Sequence, residues 1–178
     1  MPSGSRQRVA TAVCAAFFAA LPSACADPVV DEVVDALGPE RSGVPQGPEH
    51  RPGQPCVTCH QTSGPGSPDF SLGGTVYSDQ ERALPLEGAS VEFVDAIGRR
   101  HTEVTNCAGN FYITKDEWEP RFPLWTQVRF RDKSIAMETP IYRDGSCASC
   151  HADPAAQGST GHVYVSDEPF DPPTEGCR

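Results

Sequence analysis

The chain has 178 residues, of which 38% are hydrophobic, and it carries a formal charge of −10 at pH 7. This length predicts one domain with a modest core, while 18 Pro and 16 Gly favour short strands and loops over long helices. The negative charge argues against nucleic-acid binding and suits docking onto basic patches of partner proteins.

Residues 1–26 have the pattern of a signal peptide for export. Two arginines precede a run of small and apolar residues from Val9 to Leu21, and Ala24-Cys25-Ala26 matches a cleavage site. The run is too short and too rich in alanine for a good membrane-spanning helix. An alternative is a lipoprotein signal in which Cys25 carries the lipid, although Pro22 stands where a bacterial lipobox has leucine. We therefore expect an exported protein, in the periplasm or attached to the outer membrane or cell surface through Cys25.

Residues 27–69 predict one short helix followed by an irregular loop. Between Asp27 and Leu37 the valines and the leucine fall on one helical face, Asp27 is a suitable N-cap, and Gly38-Pro39 ends the pattern. The loop that follows is dense in Pro and Gly and has little apolar material of its own. It contains the pentapeptide CVTCH at residues 56–60, and a bound cofactor would explain why such a loop is ordered.

Residues 70–142 predict the body of the fold, a small β-sandwich. Their runs are short, β-branched and aromatic-rich, and turn signals separate several of them. The six clearest runs are GGTVYS, ASVEFVDA, RRHTEVTN, GNFYIT, WTQVRFR and AMETPIY. We expect the large aromatic residues to lie in the core or at the sandwich edge, namely Trp118, Phe122, Trp125 and Phe130. The predicted fold class is mainly β, with loop-rich segments on both sides of the sandwich.

The run from Gly73 to Ile113 resembles the carboxypeptidase-regulatory-like, or transthyretin-like, β-sandwich. That family reads Gly-x-Val, then Pro-x-x-Gly-Ala-x-Val, then a glycine turn and a Gly-x-Phe strand. The matching positions are Gly74–Val76, Pro85–Val91, Gly98 and Gly109–Phe111. The resemblance covers under half of the chain, and it implies a scaffold without a particular chemistry.

Residues 143–178 return to small residues and loops and end in an acidic, Pro-rich tail. They contain a second pentapeptide, CASCH at residues 147–151, and the run GHVYV as a candidate for one last strand. Apart from the two pentapeptides and the cysteines of the signal region, only Cys107 and Cys177 remain. In an exported protein we expect these two to form a disulfide, with two free thiols as the alternative.

The Cys-x-x-Cys-His pentapeptide is the attachment signature of c-type haem. Two thiols at this spacing add to the two vinyl groups of the porphyrin, and the histidine that follows supplies a nitrogen ligand to the iron. The two copies therefore predict two covalently bound haem c groups, one in each loop-rich segment. The residues that would hold them are Cys56, Cys59 and His60 for the first, and Cys147, Cys150 and His151 for the second.

Three other interpretations of the cysteine pairs compete with haem. A zinc site does not require a histidine directly after each second cysteine. A thioredoxin-like redox pair belongs at a helix start within an α/β fold, which this sequence does not predict. A disulfide within so short a ring is strained. The repetition of the full pentapeptide in an exported, loop-rich chain favours haem over all three.

The second axial ligand decides whether a haem transfers electrons or binds small molecules. His50 lies 10 residues before the histidine of the first pentapeptide, and His162 lies 11 residues after that of the second. Either segment is long enough to reach the other face of a haem, so we expect His50 and His162 to be distal ligands, without assigning each to one haem. Met137 is the third choice. His101 is expected on the exposed face of a strand.

The two pentapeptides and the signal peptide together resemble small bacterial multihaem c-type cytochromes. This resemblance implies an electron carrier rather than an enzyme, namely a dihaem cytochrome that relays electrons between redox partner proteins outside the cytoplasm. One alternative is a peroxidase-like enzyme or gas sensor with one open iron site. Another is a β-sandwich binding module with accessory haems. The sequence shows no Ser-His-Asp, paired-carboxylate or phosphate-loop pattern.

Overall fold

The computed structural model describes residues 27–40, 44, 46–152, 158–173 and 177. The predicted signal peptide and Cys25 lie outside the described residues. Within these ranges the chain forms two α-helices, one 3-10 turn and seven strands. Their bounds are α1 Pro28–Ala36, α2 Cys56–Cys59, β1 Phe70–Asp79, β2 Ser90–Val94, β3 Arg100–Val104, β4 Asn110–Thr114, β5 Trp125–Phe130, β6 Lys133–Ala136, the 3-10 turn Cys147–Ser149, and β7 Val163–Ser166.

The strands form two sheets, which confirms the predicted mainly β fold and is consistent with a small sandwich. In the three-stranded sheet β1 is central, because β4 pairs with one of its edges antiparallel and β7 pairs with the other in parallel. The four-stranded sheet is antiparallel throughout, in the order β3-β2-β5-β6. The GHVYV run thus supplies β7, a strand of the sandwich that follows residue 142 in the chain.

The hydrophobic core lies between the two sheets. Alternate residues of each strand point to the same face, so each sheet directs one apolar row inward. Trp118 is buried with these rows, and Phe122 packs against them partly exposed, both as predicted. The core side chains contributed by the strands include Leu72, Val76, Phe111, Ile113 and Val165 from the first sheet, and Val91, Phe93, Val128 and Phe130 from the second.

Strand β1 is buried on both faces along almost its whole length. One face packs into the core. The other is covered by the loop-rich segments: the Gly53 N–H donates to Thr75 Oγ1 at 2.8 Å, and the His162 ring lies edge-on to Tyr77 with centroids 4.9 Å apart. The segments that carry the two pentapeptides therefore lie directly on this strand.

Two sequence predictions about the second sheet need correction. Trp125, expected in the core or at the sandwich edge, is 50% exposed, because the inward positions of β5 are those of Val128 and Phe130. Of the run AMETPIY only Ala136 belongs to a strand, the end of β6, and Ile141 forms an isolated bridge with Leu124. The proline inside this run has no N–H to donate to a strand ladder.

Helix α1 forms as its capping residues predict. Asp27 accepts a hydrogen bond from the Val29 N–H at 3.0 Å through its side chain, and Gly38 adopts a φ of 73° just after the helix. The apolar residues do not all pack, however: Val34 and Leu37 face the first pentapeptide, while Val29 is 68% exposed. No helix among the described residues is long and apolar enough to cross a membrane.

The predicted disulfide between Cys107 and Cys177 is present, with the two Cα atoms 5.2 Å apart. It joins the turn between β3 and β4 to the end of the chain, across 70 residues of sequence. The acidic tail is therefore fastened to the sandwich.

Candidate functional site

The two pentapeptides share a backbone hydrogen bond, although the first is a short α-helix and the second a 3-10 turn. Each forms a single helical turn, in which the backbone N–H of the histidine donates to the carbonyl of the first cysteine. The distance is 3.0 Å from His60 N to Cys56 O and 2.9 Å from His151 N to Cys147 O. The two turns are far apart in the chain, since one precedes β1 and the other lies between β6 and β7.

The two histidines are also held in the same way. Nδ1 of His60 lies 2.9 Å from the carbonyl oxygen of Pro68, and Nδ1 of His151 lies 2.9 Å from that of Gly161. Because a carbonyl can only accept, each Nδ1 carries the proton, and Nε2 keeps its lone pair. Metal-binding histidines are held by such hydrogen bonds from the other ring nitrogen. Both imidazoles are thus oriented and in the tautomer that ligates through Nε2.

A cavity of about 490 Å³ lies beside the first pentapeptide. Its walls come from α1, the preceding loop, the Pro- and Gly-rich loop after the pentapeptide, and strands β1 and β4. Four of the predicted site residues line it, together with apolar side chains. They are His50, Cys56, Cys59 and His60, with Val34, Leu37, Phe70 and Phe111 among the apolar ones.

His50 and His60 lie opposite each other in this cavity. Their ring centroids are 5.7 Å apart, with an angle of 43° between the ring planes. Nδ1 of His50 donates to the carbonyl of Gly47, so its Nε2 also keeps a lone pair. The structure therefore brings the predicted distal ligand His50 next to the predicted proximal ligand His60, a pairing that the sequence did not assign.

Aromatic stacking fixes the plane of the buried His60 ring. Its centroid lies 3.9 Å from that of Phe70, with the two rings within 2° of parallel, and Phe70 stacks in turn on Tyr112 at 4.7 Å. With Nδ1 fixed on Pro68 and one face fixed on Phe70, the imidazole has one orientation. A ligand held this firmly loses little freedom when it binds a metal.

The first cysteine of each pentapeptide packs on strand β1 at one of two consecutive glycines. A Cβ built on Gly73 would lie 2.9 Å from Cys56 Cβ, and one on Gly74 would lie 2.8 Å from Cys147 Cβ. Burial raises the pKa of Cys56 to about 11 and that of Cys147 to about 12. These thiols are protonated at neutral pH, unlike the activated cysteine of a redox-active pair, whose pKa is lowered.

The two pentapeptide segments also contact each other. The Val57 N–H, inside the first pentapeptide, donates to Ser146 Oγ, just before the second, at 2.9 Å. The Gly145 carbonyl accepts from the Gly73 N–H at 3.0 Å, so the second segment runs along the edge of β1. The candidate site is therefore one continuous region built around β1, not two separate loops.

The surroundings of His162 differ from those of His50. Its Nε2 donates to the Asp79 carbonyl at 2.9 Å, and its ring lies against Tyr77, so it is held on β1. Met137 belongs to the other sheet, where its N–H extends the β5–β6 ladder by donating to Thr126 O at 3.1 Å. The roles of His162 and Met137 as distal ligands stay predictions.

A zinc site built from the two cysteine pairs has no support in the geometry. Among the described residues, the one cluster of three or more potential ligands consists of His101, Glu103 and Glu117, at β3 and after β4. His101 Nε2 lies 3.0 Å from a Glu103 oxygen, and its ring stacks on Trp118. None of the four pentapeptide cysteines is in a disulfide.

Sequence reasoning missed several residues that build this site. The Pro68 and Gly161 carbonyls are backbone atoms, which carry no sequence signature of their own. Ser146 and the Gly73-Gly74 pair could have been noticed, because glycine inside a strand often marks the close approach of another chain segment.

Comparisons with protein-family models, with curated proteins and with solved structures find no match to this chain. The resemblances to a transthyretin-like sandwich and to multihaem cytochromes therefore stay predictions. The case for a function rests on the residues of the site.

Proposed function

We propose that this protein is a dihaem c-type cytochrome that relays electrons between redox partner proteins outside the cytoplasm. The observation that carries the proposal is the repeated arrangement at the two pentapeptides. In both, two cysteines lie on one helical turn, and the histidine that follows has its Nδ1 proton on a backbone carbonyl and its Nε2 lone pair available. Neither zinc binding nor thiol redox chemistry requires this combination.

The residues around the first pentapeptide fit a haem. Cys56 and Cys59 would hold it through thioether bonds, and His60 and His50 would be its axial ligands. The two imidazoles line one cavity with ring centroids 5.7 Å apart, so both would be available to one metal group bound there. The apolar part of the cavity wall would cover the porphyrin. Haem with two histidine ligands exchanges one electron at its iron and leaves no position for a substrate.

The contribution of the chain is to fix the position of the two groups. Cys56 and Cys147 pack at consecutive residues of one strand, whose Cα atoms are about 3.8 Å apart. The Val57–Ser146 hydrogen bond joins the two attachment segments directly. Both attachment cysteines would thus be held in fixed positions on one strand, Cys56 on one face and Cys147 on the other.

The net charge of the protein suits protein partners with basic surfaces. The formal charge of −10 favours encounters with proteins that carry basic docking patches. Export, periplasmic location and a lipid anchor at Cys25 belong to the same proposal and concern residues outside those described.

The test is the intact mass of the denatured protein after expression in the periplasm of a host that matures c-type haem. We expect the mass of the processed chain plus two haems. The double variants Cys56→Ala/Cys59→Ala and Cys147→Ala/Cys150→Ala should each retain one haem, while the control His101→Ala should retain two. A chain without covalent haem, or with zinc released on unfolding, would overturn the proposal.

A further inference from the structure

We propose that the two haems differ in axial ligation, and that the second haem takes only His151 from the chain. Its sixth iron position would then be open to a small neutral diatomic molecule. This inference rests on the proposed dihaem function and names what one of the two haems would bind. It departs from the sequence expectation that His162 is a distal ligand.

The hydrogen bond of His151 indicates on which side of the second haem His162 would begin. His151 Nδ1 donates to the Gly161 carbonyl, and Nδ1 points away from the iron that Nε2 would bind. Gly161 therefore lies on the side of the His151 imidazole that faces away from the Nε2 atom that would bind the iron. His162 follows it directly in the chain, so it starts on the proximal side.

The His162 ring is held by strand β1. Its Nε2 donates to the Asp79 carbonyl at 2.9 Å, and its centroid lies 4.9 Å from that of Tyr77. Both contacts are with strand β1, whose pairing with β7 begins one residue after His162. To reach the distal face, the histidine would have to leave this strand, and the residues next to it would have to leave the sheet.

Apart from His151 and His162, the chain offers few histidines and methionines as ligands. The chain has five histidines and two methionines. The His50 ring lies beside the His60 ring at the first site, and His101 is hydrogen-bonded to Glu103. Met137 lies with the four-stranded sheet, and the remaining methionine is the first residue of the chain. No histidine or methionine is therefore left to complete the second haem.

The far end of the second pentapeptide turn is exposed to solvent. Cys147 is packed against Gly74, but Ser149 and Cys150 at the other end of the same turn are exposed. A haem attached here would reach the protein surface, where a small molecule can approach from solvent. Haem iron with an open position binds such diatomic ligands without first releasing a protein ligand.

The test is a titration of the reduced dihaem protein with carbon monoxide, followed by absorption spectroscopy, together with electron paramagnetic resonance of the oxidised protein. We expect one carbon monoxide per two haems and one high-spin beside one low-spin ferric signal. His162→Gln should leave both results unchanged, whereas His50→Ala should raise the stoichiometry to two. If the unmodified protein bound no carbon monoxide, or two molecules of it, the inference would be overturned.

The carbon monoxide stoichiometry of the unmodified protein decides the inference. The result therefore does not depend on whether a variant folds. The intact mass separates the two proposals. A protein with two covalent haems that binds no carbon monoxide would overturn the unequal ligation and leave the dihaem cytochrome standing. A chain without covalent haem would overturn both.

Discussion

Gly73 and Gly74 show how single residues set the candidate site. Successive side chains of a strand point to opposite faces, so the two glycines leave space on opposite sides of β1 at adjacent positions. Cys56 uses the space at one and Cys147 the space at the other, each with its Cβ under 3.0 Å from where a new methyl carbon would lie. Each glycine thus admits one attachment cysteine.

We therefore expect Gly73→Ala and Gly74→Ala to damage different sites. Each added methyl group would push one cysteine away from β1 and reduce the free energy of unfolding by about 1–3 kcal/mol. Gly73→Ala should lower haem attachment at the first pentapeptide only, and Gly74→Ala at the second only. Urea unfolding and the masses of haem-bearing peptides measure both effects, and each variant is the control for the other. Equal loss at both pentapeptides in either variant would contradict this assignment.

The residues that could be predicted from sequence are those whose spacing carries the chemistry. The pentapeptides identified four cysteines and two histidines because attachment requires that spacing, and the cysteine count identified the disulfide partners. Sequence separation also suggested His50, which the structure places opposite His60. The same reasoning cannot say on which side of a ring a residue lies. His162 is close to His151 along the chain, yet it is fixed on β1 through Asp79.

At the scale of elements, strand β1 and the two pentapeptide turns form one structural unit. β1 has a strand or a chain segment along each edge and is buried on both faces. The turn of the first pentapeptide is fastened to the second by the Val57–Ser146 hydrogen bond. This bond joins residues 89 positions apart in sequence, so it depends on the complete sandwich.

We expect Ser146→Ala to loosen the connection between the two turns. The buried Ser146 side chain would no longer accept from the Val57 N–H, which costs about 1–2 kcal/mol for a partly buried group. Urea unfolding should show that loss, and amide exchange at Val57 should become faster. The matched control is Ser149→Ala, because Ser149 is exposed and lies in the same turn. An equal effect of the two substitutions would show that the hydrogen bond has no special role.

Most strands could be predicted, because burying one face of a sheet makes apolar and polar residues alternate along each strand. β6 could not, since Lys133–Ala136 is short and half polar, and the more apolar run after it contains a proline. The sequence also could not predict that the first pentapeptide forms a helical turn. It is four residues long and depends on contacts with β1 rather than on helix propensity.

At the scale of the whole molecule, the sandwich holds two distant loop-rich segments together. The first pentapeptide precedes β1 and the second follows β6, and the Cys107–Cys177 disulfide fastens the tail beyond both. A small core with many Pro and Gly gains stability from such a cross-link, since closing a long loop restricts the unfolded chain. The sequence indicated these parts one by one, but their convergence on a single strand is a property of the tertiary fold.

If the protein relays electrons as proposed, its net charge predicts how the rate of electron transfer responds to salt. With a formal charge of −10, the reduced protein should attract a cationic acceptor such as hexaammineruthenium(III) and repel an anionic one such as ferricyanide. Added salt screens both effects, because the Debye length falls from about 30 Å at 0.01 M to about 3 Å at 1 M. Stopped-flow mixing should therefore show the cation reacting roughly tenfold more slowly at high salt and ferricyanide reacting faster. If instead both rates were independent of salt, or changed in the same direction, the acidic surface would not guide the encounter. The choice of partner would then depend on contacts near the haems alone.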